Sequence, residues 1–341
     1  MYLTSAGMVC PVGLSASAAC AAMRAGVAMF EELSYRDNMR EPVVGAMVAS
    51  LDIQLEPGLR LTELLSTAIA DCLPEEVAEP LDSVPLLVGL AETDRPGGQA
   101  SLADSIIGDV ERKLGVRFHP DRSCTIARGH VSGFVALRKA REMLKDSAIP
   151  ACLLCGVDSY LNASSLSWLD QQWRLKTSDN SDGVIPGEAA AAIYVRRQPT
   201  SATGTVVEVI GLGAARESAT VLSEEPLLGL GLTDAARAAL AEAKLEMHEI
   251  DFRLSDVTGE SYGFKEQALA LSRLMRARRE ELPIWHSADC IGDCGAAAGV
   301  GQLVIARESF IKDYAPGDHA ACYTSSVPGD RAVTVLRRQR I

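Results

Sequence analysis

The chain is poor in the features that would assign its class at once. Lysine and arginine number 33 against 45 aspartate and glutamate residues, which leaves a formal net charge of −12 at pH 7. Nucleic acids and anionic membranes are bound by clustered positive charge, so this balance argues against both as partners. No apolar run reaches the roughly 20 residues that span a bilayer. We therefore expect neither nucleic-acid binding nor membrane insertion.

The N-terminal segment lacks the basic residues that open a secretory signal peptide, since Arg24 is the first positively charged side chain. Gly7, Pro11 and Gly13 interrupt the apolar run early. This pattern predicts a strand over residues 2–9, a turn, and a helix over residues 15–25.

The nine cysteines are odd in number and irregularly spaced, which does not favour a disulfide framework. Cys152 and Cys155 lie in an apolar run that predicts a buried strand. A Cys-x-x-Cys pair on a strand points to opposite faces, which suits neither a redox pair nor a shared metal. We expect reduced thiols and a cytoplasmic protein.

Strand and helix signals alternate along the chain, which predicts an α/β fold with largely parallel sheets. The only polar linker is at residues 198–204, and after it the strand and helix pattern restarts. We therefore predict two similar halves, residues 1–198 and 199–341. Predicted strands are 84–90, 122–127, 152–157, 189–195, 206–212, 252–256 and 332–336; predicted helices are 102–114, 130–144, 233–243, 266–278 and 295–309.

Five stretches, taken in order, resemble motifs of the thiolase-fold condensing enzymes, β-ketoacyl synthases in particular. Asp-Gly-Val-Ile-Pro-Gly-Glu-Ala-Ala at 182–190 is similar to the family's Asp-Gly-Phe-Val-x-Gly-Glu-Gly-Ala. Ile-Gly-Asp-Cys-Gly-Ala-Ala-Ala-Gly at 291–299 is similar to Ile-Gly-His-x-x-Ala-Ala-Ala-Gly. The other three stretches are residues 4–13, 125–137 and 156–159.

The resemblance implies a thiolase-like α/β fold, with two similar halves stacked as five layers, α-β-α-β-α. It also implies a homodimer formed through the strand near residues 122–127. No cofactor is implied.

The resemblance places substitutions at all three catalytic positions. In the family, a cysteine thiolate at a helix N-terminus takes the acyl chain, and two histidines stabilise the carbonyl and the enolate. Here His130 occupies the cysteine position, while Asp256 and Asp293 occupy the histidine positions. An imidazole cannot hold a stable thioester, and two carboxylates would repel an enolate. Losing one hydrogen-bond donor to the oxyanion already raises the activation free energy by about 3–4 kcal/mol. The resemblance therefore implies a pseudoenzyme with no catalytic residue.

Other interpretations of these residues stay open. Cys124 is a rival nucleophile, but using it requires a six-residue shift that breaks the match over residues 135–137. His130, Asp256 and Asp293 together could hold a divalent metal or form a His–Asp general base, although a hydrogen-bonded polar cluster is favoured. A zinc site at His286, Cys290, Asp293 and Cys294 lacks a second Cys/His pair, so no metal is expected.

Four other positions receive structural predictions. Gly211 and Gly213 follow a strand without the third glycine of a dinucleotide site, so we predict a tight turn. Trp168 and Trp173 could line a loop over the former acyl tunnel, but the hydrophobic core is favoured.

Residues 94–97, 156–161 and 178–190 are similar to a shorter group of bacterial thiolase-like proteins, often encoded beside type VI secretion effectors. This resemblance implies a non-catalytic accessory protein whose partner is a secretion effector or adaptor. One alternative is an acyltransferase or 3-oxoacyl synthase that uses Cys124 or His130 in a rearranged site. A second is a subunit like a chain length factor, paired with an active synthase.

Overall fold

The computed structural model describes residues 1–52, 54–73, 79–199 and 204–341. Within these ranges it contains twelve strands and nine α-helices. The strands are β1 (Tyr2–Val9), β2 (Glu31–Arg36), β3 (Pro42–Gly45), β4 (Leu86–Leu90), β5 (Cys124–Ala127), β6 (Ala151–Ser159), β7 (Glu188–Arg196), β8 (Thr205–Arg216), β9 (Phe252–Ser255), β10 (Ile284–His286), β11 (His319–Ser325) and β12 (Asp330–Arg340). The helices are α1 (Ala16–Arg24), α2 (Pro57–Cys72), α3 (Leu102–Leu114), α4 (Ser132–Met143), α5 (Ala163–Gln171), α6 (Leu230–Ala243), α7 (Ser261–Leu274), α8 (Ala288–Ile291) and α9 (Ala297–Ile311).

Ten strands of the described chain form one sheet, in the order β10-β9-β11-β12-β8-β1-β7-β6-β4-β5. The sheet consists of two five-strand runs with the same topology. Number the five strands of each run in chain order. From the outer edge of the sheet inward, they then follow as third, second, fourth, fifth and first in both runs. Two residue pairs join the runs, Tyr2 with Glu208 and Leu3 with Val207. The repeated topology is a property of the backbone, since the two halves share no residue-level repeat.

The boundary between residues 198 and 199 stays a prediction, because residues 200–203 of the linker lie outside the described residues.

The prediction of largely parallel sheets is wrong. In each run the second strand pairs in parallel with its two neighbours, whereas the fifth strand is antiparallel to both of its neighbours. Strand β7 shows the reason, because it is antiparallel and yet buried almost throughout. A strand covered on both faces has a continuous apolar sequence whatever its direction, so sequence alone does not reveal the pairing.

Three hydrophobic clusters hold five layers of secondary structure together, and the middle cluster contacts both five-strand runs. The outer helices α2 and α3 cover one face of the β1–β7 run, with Leu64 and Ile106 in their cluster. Helices α4 and α9 lie between the two runs, and their cluster includes Phe134 and Val300. Helices α6 and α7 cover the far face of the β8–β12 run. This α-β-α-β-α arrangement is the predicted fold class.

The chain turns sharply from β5 into α4, and this turn positions His130. A short 3₁₀ turn over Gly129–Val131 precedes the α-helix, which begins at Ser132 and not at the predicted residue 130. Gly129 has φ of 57°, and a Cβ there would lie 2.1 Å from Oε1 of Glu92. The Ser132 hydroxyl donates to the Ile126 carbonyl oxygen at 2.8 Å. Only glycine fits this close left-handed turn.

The predicted tight turn at Gly211 and Gly213 is wrong, because both residues lie inside β8. A Cβ at Gly211 would lie 2.1 Å from the Ala239 carbonyl oxygen, and one at Gly213 would lie 1.9 Å from that of Ala235. The two glycines therefore let helix α6 approach the strand closely.

The predicted core position of Trp173 is also wrong, because the residue is 73% exposed. Its φ of 53° lies in the left-handed region, and this turn follows the end of α5. Trp168 is half-buried and packs against a small cluster that contains Tyr160 and Leu169.

No helix in the described ranges combines the length and the hydropathy that crossing a membrane requires.

Candidate functional site

His130 and Asp293 form a buried ion pair at the centre of the molecule. Nε2 of His130 lies 2.7 Å from Oδ1 of Asp293, and both side chains are about 95% buried. The Gly295 N–H donates to the same Asp293 oxygen at 2.9 Å. The β5–α4 turn supplies the histidine, and the segment between α8 and α9 supplies the aspartate.

The neighbouring Asp293 carboxylate determines the protonation state of His130. Burial opposes its protonation, but the adjacent Asp293 carboxylate outweighs burial and raises the pKa of His130 to about 10. Burial likewise opposes ionisation of Asp293, but the His130 imidazolium lowers the pKa of that carboxyl below its ordinary value. At pH 7 the pair is therefore an imidazolium and a carboxylate. A protonated imidazole has no lone pair to attack a thioester or to abstract a proton.

Asp256 lines the same small cavity as His130 and Asp293. Its Oδ2 accepts a hydrogen bond from the Ser325 N–H at 2.6 Å. Burial raises the pKa of Asp256 to about 6, against the opposing effect of His130. The structure thus brings together the three residues that the sequence resemblance predicts to stand at the catalytic positions.

The cavity that these residues line has a volume of about 60 Å³. Pockets that bind small molecules measure roughly 300–1,000 Å³. The space at His130 therefore admits a few water molecules and no acyl chain.

Two bidentate ion pairs lie near Asp293, one beside Gly295 and one in the wall of the cavity. Arg95 binds Asp158 through both terminal nitrogens, at 2.8 and 2.6 Å, and its guanidinium lies 4.2 Å from the centre of the Tyr160 ring. Arg174 binds Glu260 at 2.7 and 2.8 Å and lines the cavity itself. The second pair therefore places charged groups in the lining of the His130 cavity.

A larger cavity of about 570 Å³ lies next to the Arg95–Asp158 pair. Arg95, Asp158 and Ala127 line it, whereas His130 does not. Among the residues that the structure describes, none lines both this cavity and the His130 cavity.

Cys124, the rival nucleophile, lies away from the cluster. It begins β5 at the end of the sheet and is half-buried, and its Sγ lies 3.1 Å from Nζ of Lys139. It does not line the His130 cavity.

The four residues considered for zinc do not converge. Nδ1 of His286 faces Asp289 at 3.2 Å, and Sγ of Cys294 faces the Ile291 carbonyl oxygen at 3.4 Å. Among the described residues, no group of three or more histidine, cysteine or acidic side chains has the geometry of a metal site.

Sequence reasoning missed the charged residues around the cavity. Arg174 and Glu260 are 86 positions apart, and Arg331 binds Glu266 across 65 positions. Neither pair has a local sequence signal, because each partner by itself is an ordinary charged residue in a loop, a helix or, for Arg331, strand β12.

Solved structures similar to this chain include several ketosynthases. The ishigamide ketosynthase/chain length factor has a TM-score of 0.71 and 21% identity, over 98% of both chains. The ketosynthase ApeO in complex with its chain length factor ApeC, from Xenorhabdus doucetiae, has a TM-score of 0.74 and 14% identity, over 98% of this chain and 97% of that one. A β-ketoacyl synthase from Burkholderia phymatum STM815 has a TM-score of 0.75 and 16% identity, over 99% of both. This chain has the thiolase-like ketosynthase fold.

No protein-family model matches the sequence, and no curated protein matches it.

Proposed function

We propose that this protein is a non-condensing protein of the ketosynthase fold that acts by binding other proteins. The observation that carries the proposal is the His130–Asp293 ion pair. The residue in the nucleophile position is a cation with its Nε2 committed to a carboxylate. Acyl transfer needs a nucleophile with a free electron pair at this position.

Space supports the same conclusion. The 60 Å³ cavity is too small for an acyl chain, and among the described residues none that lines it also lines the larger cavity.

Strand β5 is the proposed pairing surface. It hydrogen-bonds to β4 and is the terminal strand of the sheet in the described chain. An unpaired strand edge is a template for adding a strand from a second chain. We propose a homodimer formed through this edge.

A second candidate partner is an active synthase, which would make this protein similar to a chain length factor. The observation that supports this second candidate is that two of the similar structures are described as a ketosynthase with its chain length factor.

The proposed biological role is the handling of type VI secretion effectors or their adaptors. It rests on the sequence motifs at residues 94–97, 156–161 and 178–190 alone.

The test of the non-condensing proposal is incubation with acyl- and malonyl-carrier-protein thioesters, followed by intact mass measurement. We expect no acyl adduct and no decarboxylation, whereas a synthase with an intact triad, run in parallel, gives both. The Cys124→Ser variant is the matched control, because it removes the rival nucleophile. An adduct on wild type that maps to Cys124 or His130 would show that the protein is an acyltransferase.

The pairing proposal is tested by sedimentation of wild type and of the Thr125→Lys variant. A lysine in the middle of β5 should shift the dimer toward monomer, since charged edge residues oppose strand addition. Thr67→Lys, on the exposed face of α2, is the control and should leave the mass unchanged. Wild type that is monomeric alone and dimeric only after co-expression with an active ketosynthase would favour the chain-length-factor candidate.

A further inference from the structure

A cavity of about 670 Å³ lies between α1, β10 and α9. Among the described residues, none that lines it also lines the His130 cavity. Its volume falls within the roughly 300–1,000 Å³ of natural small-molecule pockets. The fold therefore contains ligand-sized space that pairing through β5 and the His130 cluster do not use.

Flat aromatic and aliphatic side chains form the walls of this cavity. The Trp285 ring stacks on Tyr314, with ring centres 6.2 Å apart and planes inclined by 27°. Buried Phe252 also packs against Trp285, with ring centres 4.6 Å apart. Met23 and Ile305 complete the apolar lining. Rings held in this way offer a preformed flat surface, which favours a planar ligand.

Arg24 places a positive charge at the mouth of the cavity. Its guanidinium carbon lies 4.5 Å from the centre of the Tyr314 ring, and the residue is exposed. It makes no ion pair with any residue in the described ranges. Asp289, which also lines the cavity, faces Nδ1 of His286 at 3.2 Å, and Glu308 pairs with Arg307 at 2.7 Å. An anion in the cavity can therefore pair with the Arg24 guanidinium.

The two cysteines in the lining add no negative charge. Burial raises the pKa of Cys20 to about 12 and raises the pKa of Cys290 above its ordinary value. Both are therefore neutral thiols at pH 7, and they contribute apolar surface with little nucleophilic character.

We infer that this cavity binds a small planar aromatic anion. The ring lies against Trp285, between Met23 and Ile305, and the acidic group pairs with Arg24. The site is independent of the proposed pairing function, because its lining residues lie outside both β5 and the His130 cluster.

Isothermal titration of the full chain with 2-naphthoate tests this inference, with 2-naphthylmethanol as the neutral analogue. We expect one molecule of 2-naphthoate per chain and weaker binding of the alcohol. Arg24→Met should weaken 2-naphthoate binding by about 3- to 10-fold while retaining the packing on Tyr314. Arg112→Met, at an exposed arginine on α3, is the matched control and should leave the affinity unchanged.

Cavity filling gives a second test. Ile305→Trp should abolish 2-naphthoate binding, and Met23→Trp on α1 serves the same purpose if the first variant unfolds. Thermal melting establishes that each variant is folded. Absence of wild-type binding at about 1 mM ligand overturns the site. Equal affinity for the alcohol and the acid, or an unchanged affinity in Arg24→Met, overturns the anionic class of ligand.

Discussion

Nε2 of His130 donates a hydrogen bond to Oδ1 of Asp293 over 2.7 Å and links segments 163 residues apart. The histidine follows β5 of the first five-strand run, and the aspartate precedes α9, which packs between the two runs. The sequence resemblance predicts that His130 occupies the position of the reactive thiol in β-ketoacyl synthases. Its chemistry is that of a buried ion pair, and it can be tested as one.

Asp293→Asn should lower the free energy of unfolding by about 3–5 kcal/mol, because it leaves the buried His130 without its counter-ion. Urea denaturation followed by circular dichroism measures the change. Asp313→Asn is the control, since this exposed carboxylate pairs with Arg338 and Arg340 at the surface, and its loss should change stability by less than about 1 kcal/mol. Wild-type stability in Asp293→Asn would contradict the assignment of a charged pair.

His130 should make stability depend on alkaline pH. Its pKa of about 10 in the folded chain exceeds the value of about 6.5 expected when unfolded, so folding favours the protonated form. The stabilisation is fully present below about pH 6.5 and is lost as pH rises toward about 10. His130→Gln should remove this dependence. The measurement is the unfolding free energy of both proteins between these pH values, and parallel curves would show that the pKa of His130 is not raised.

Cys124 should be alkylated by iodoacetamide before the other eight cysteines. It is half-buried, whereas all the others are buried. Peptide mapping after brief labelling of the native protein identifies the modified thiol. If two chains pair through β5, labelling should also slow as protein concentration increases. Equal labelling rates at several cysteines would contradict the described burial.

Gly213→Ala and Gly108→Ala should change stability in opposite directions. A Cβ at Gly213 meets the Ala235 carbonyl oxygen at 1.9 Å, so we expect a loss of about 1–3 kcal/mol as α6 is displaced. A Cβ at Gly108, inside α3, meets nothing within 4 Å, so alanine should stabilise by roughly 0.5–1 kcal/mol through its helix propensity. Thermal unfolding of the two variants measures both effects, and a stabilising Gly213→Ala would contradict the close packing of α6 on β8.

Elements with a clear periodic pattern could be predicted within a few residues. The predicted bounds of α3 and of β1 agree with those in the structure. Helix α2 was missed although Leu61, Leu64, Leu65 and Ala68 recur at helical spacing. Strand β10 was missed because it has three residues, and β11 was missed because its small and mixed residues do not distinguish a strand from a loop.

The site could be predicted only as a set of aligned positions. The resemblance placed His130, Asp256 and Asp293 together, and the structure puts them around one cavity. It offered no means of predicting that Arg174 would line the same cavity, because that contact depends on how the segment after α5 packs against the start of α7.

The sequence by itself determined which chemical groups the protein can use: it supplies the imidazole of His130 and the carboxylates of Asp256 and Asp293, and it alternates strand and helix signals. Only the tertiary structure decided the charge state of those groups and the space around them. A pKa depends on burial and on charges from distant segments, so His130 became a cation only when Asp293 packed against it. Cavity size depends on packing between layers, so the small space at His130 and the larger one beside Trp285 exist only in the folded chain.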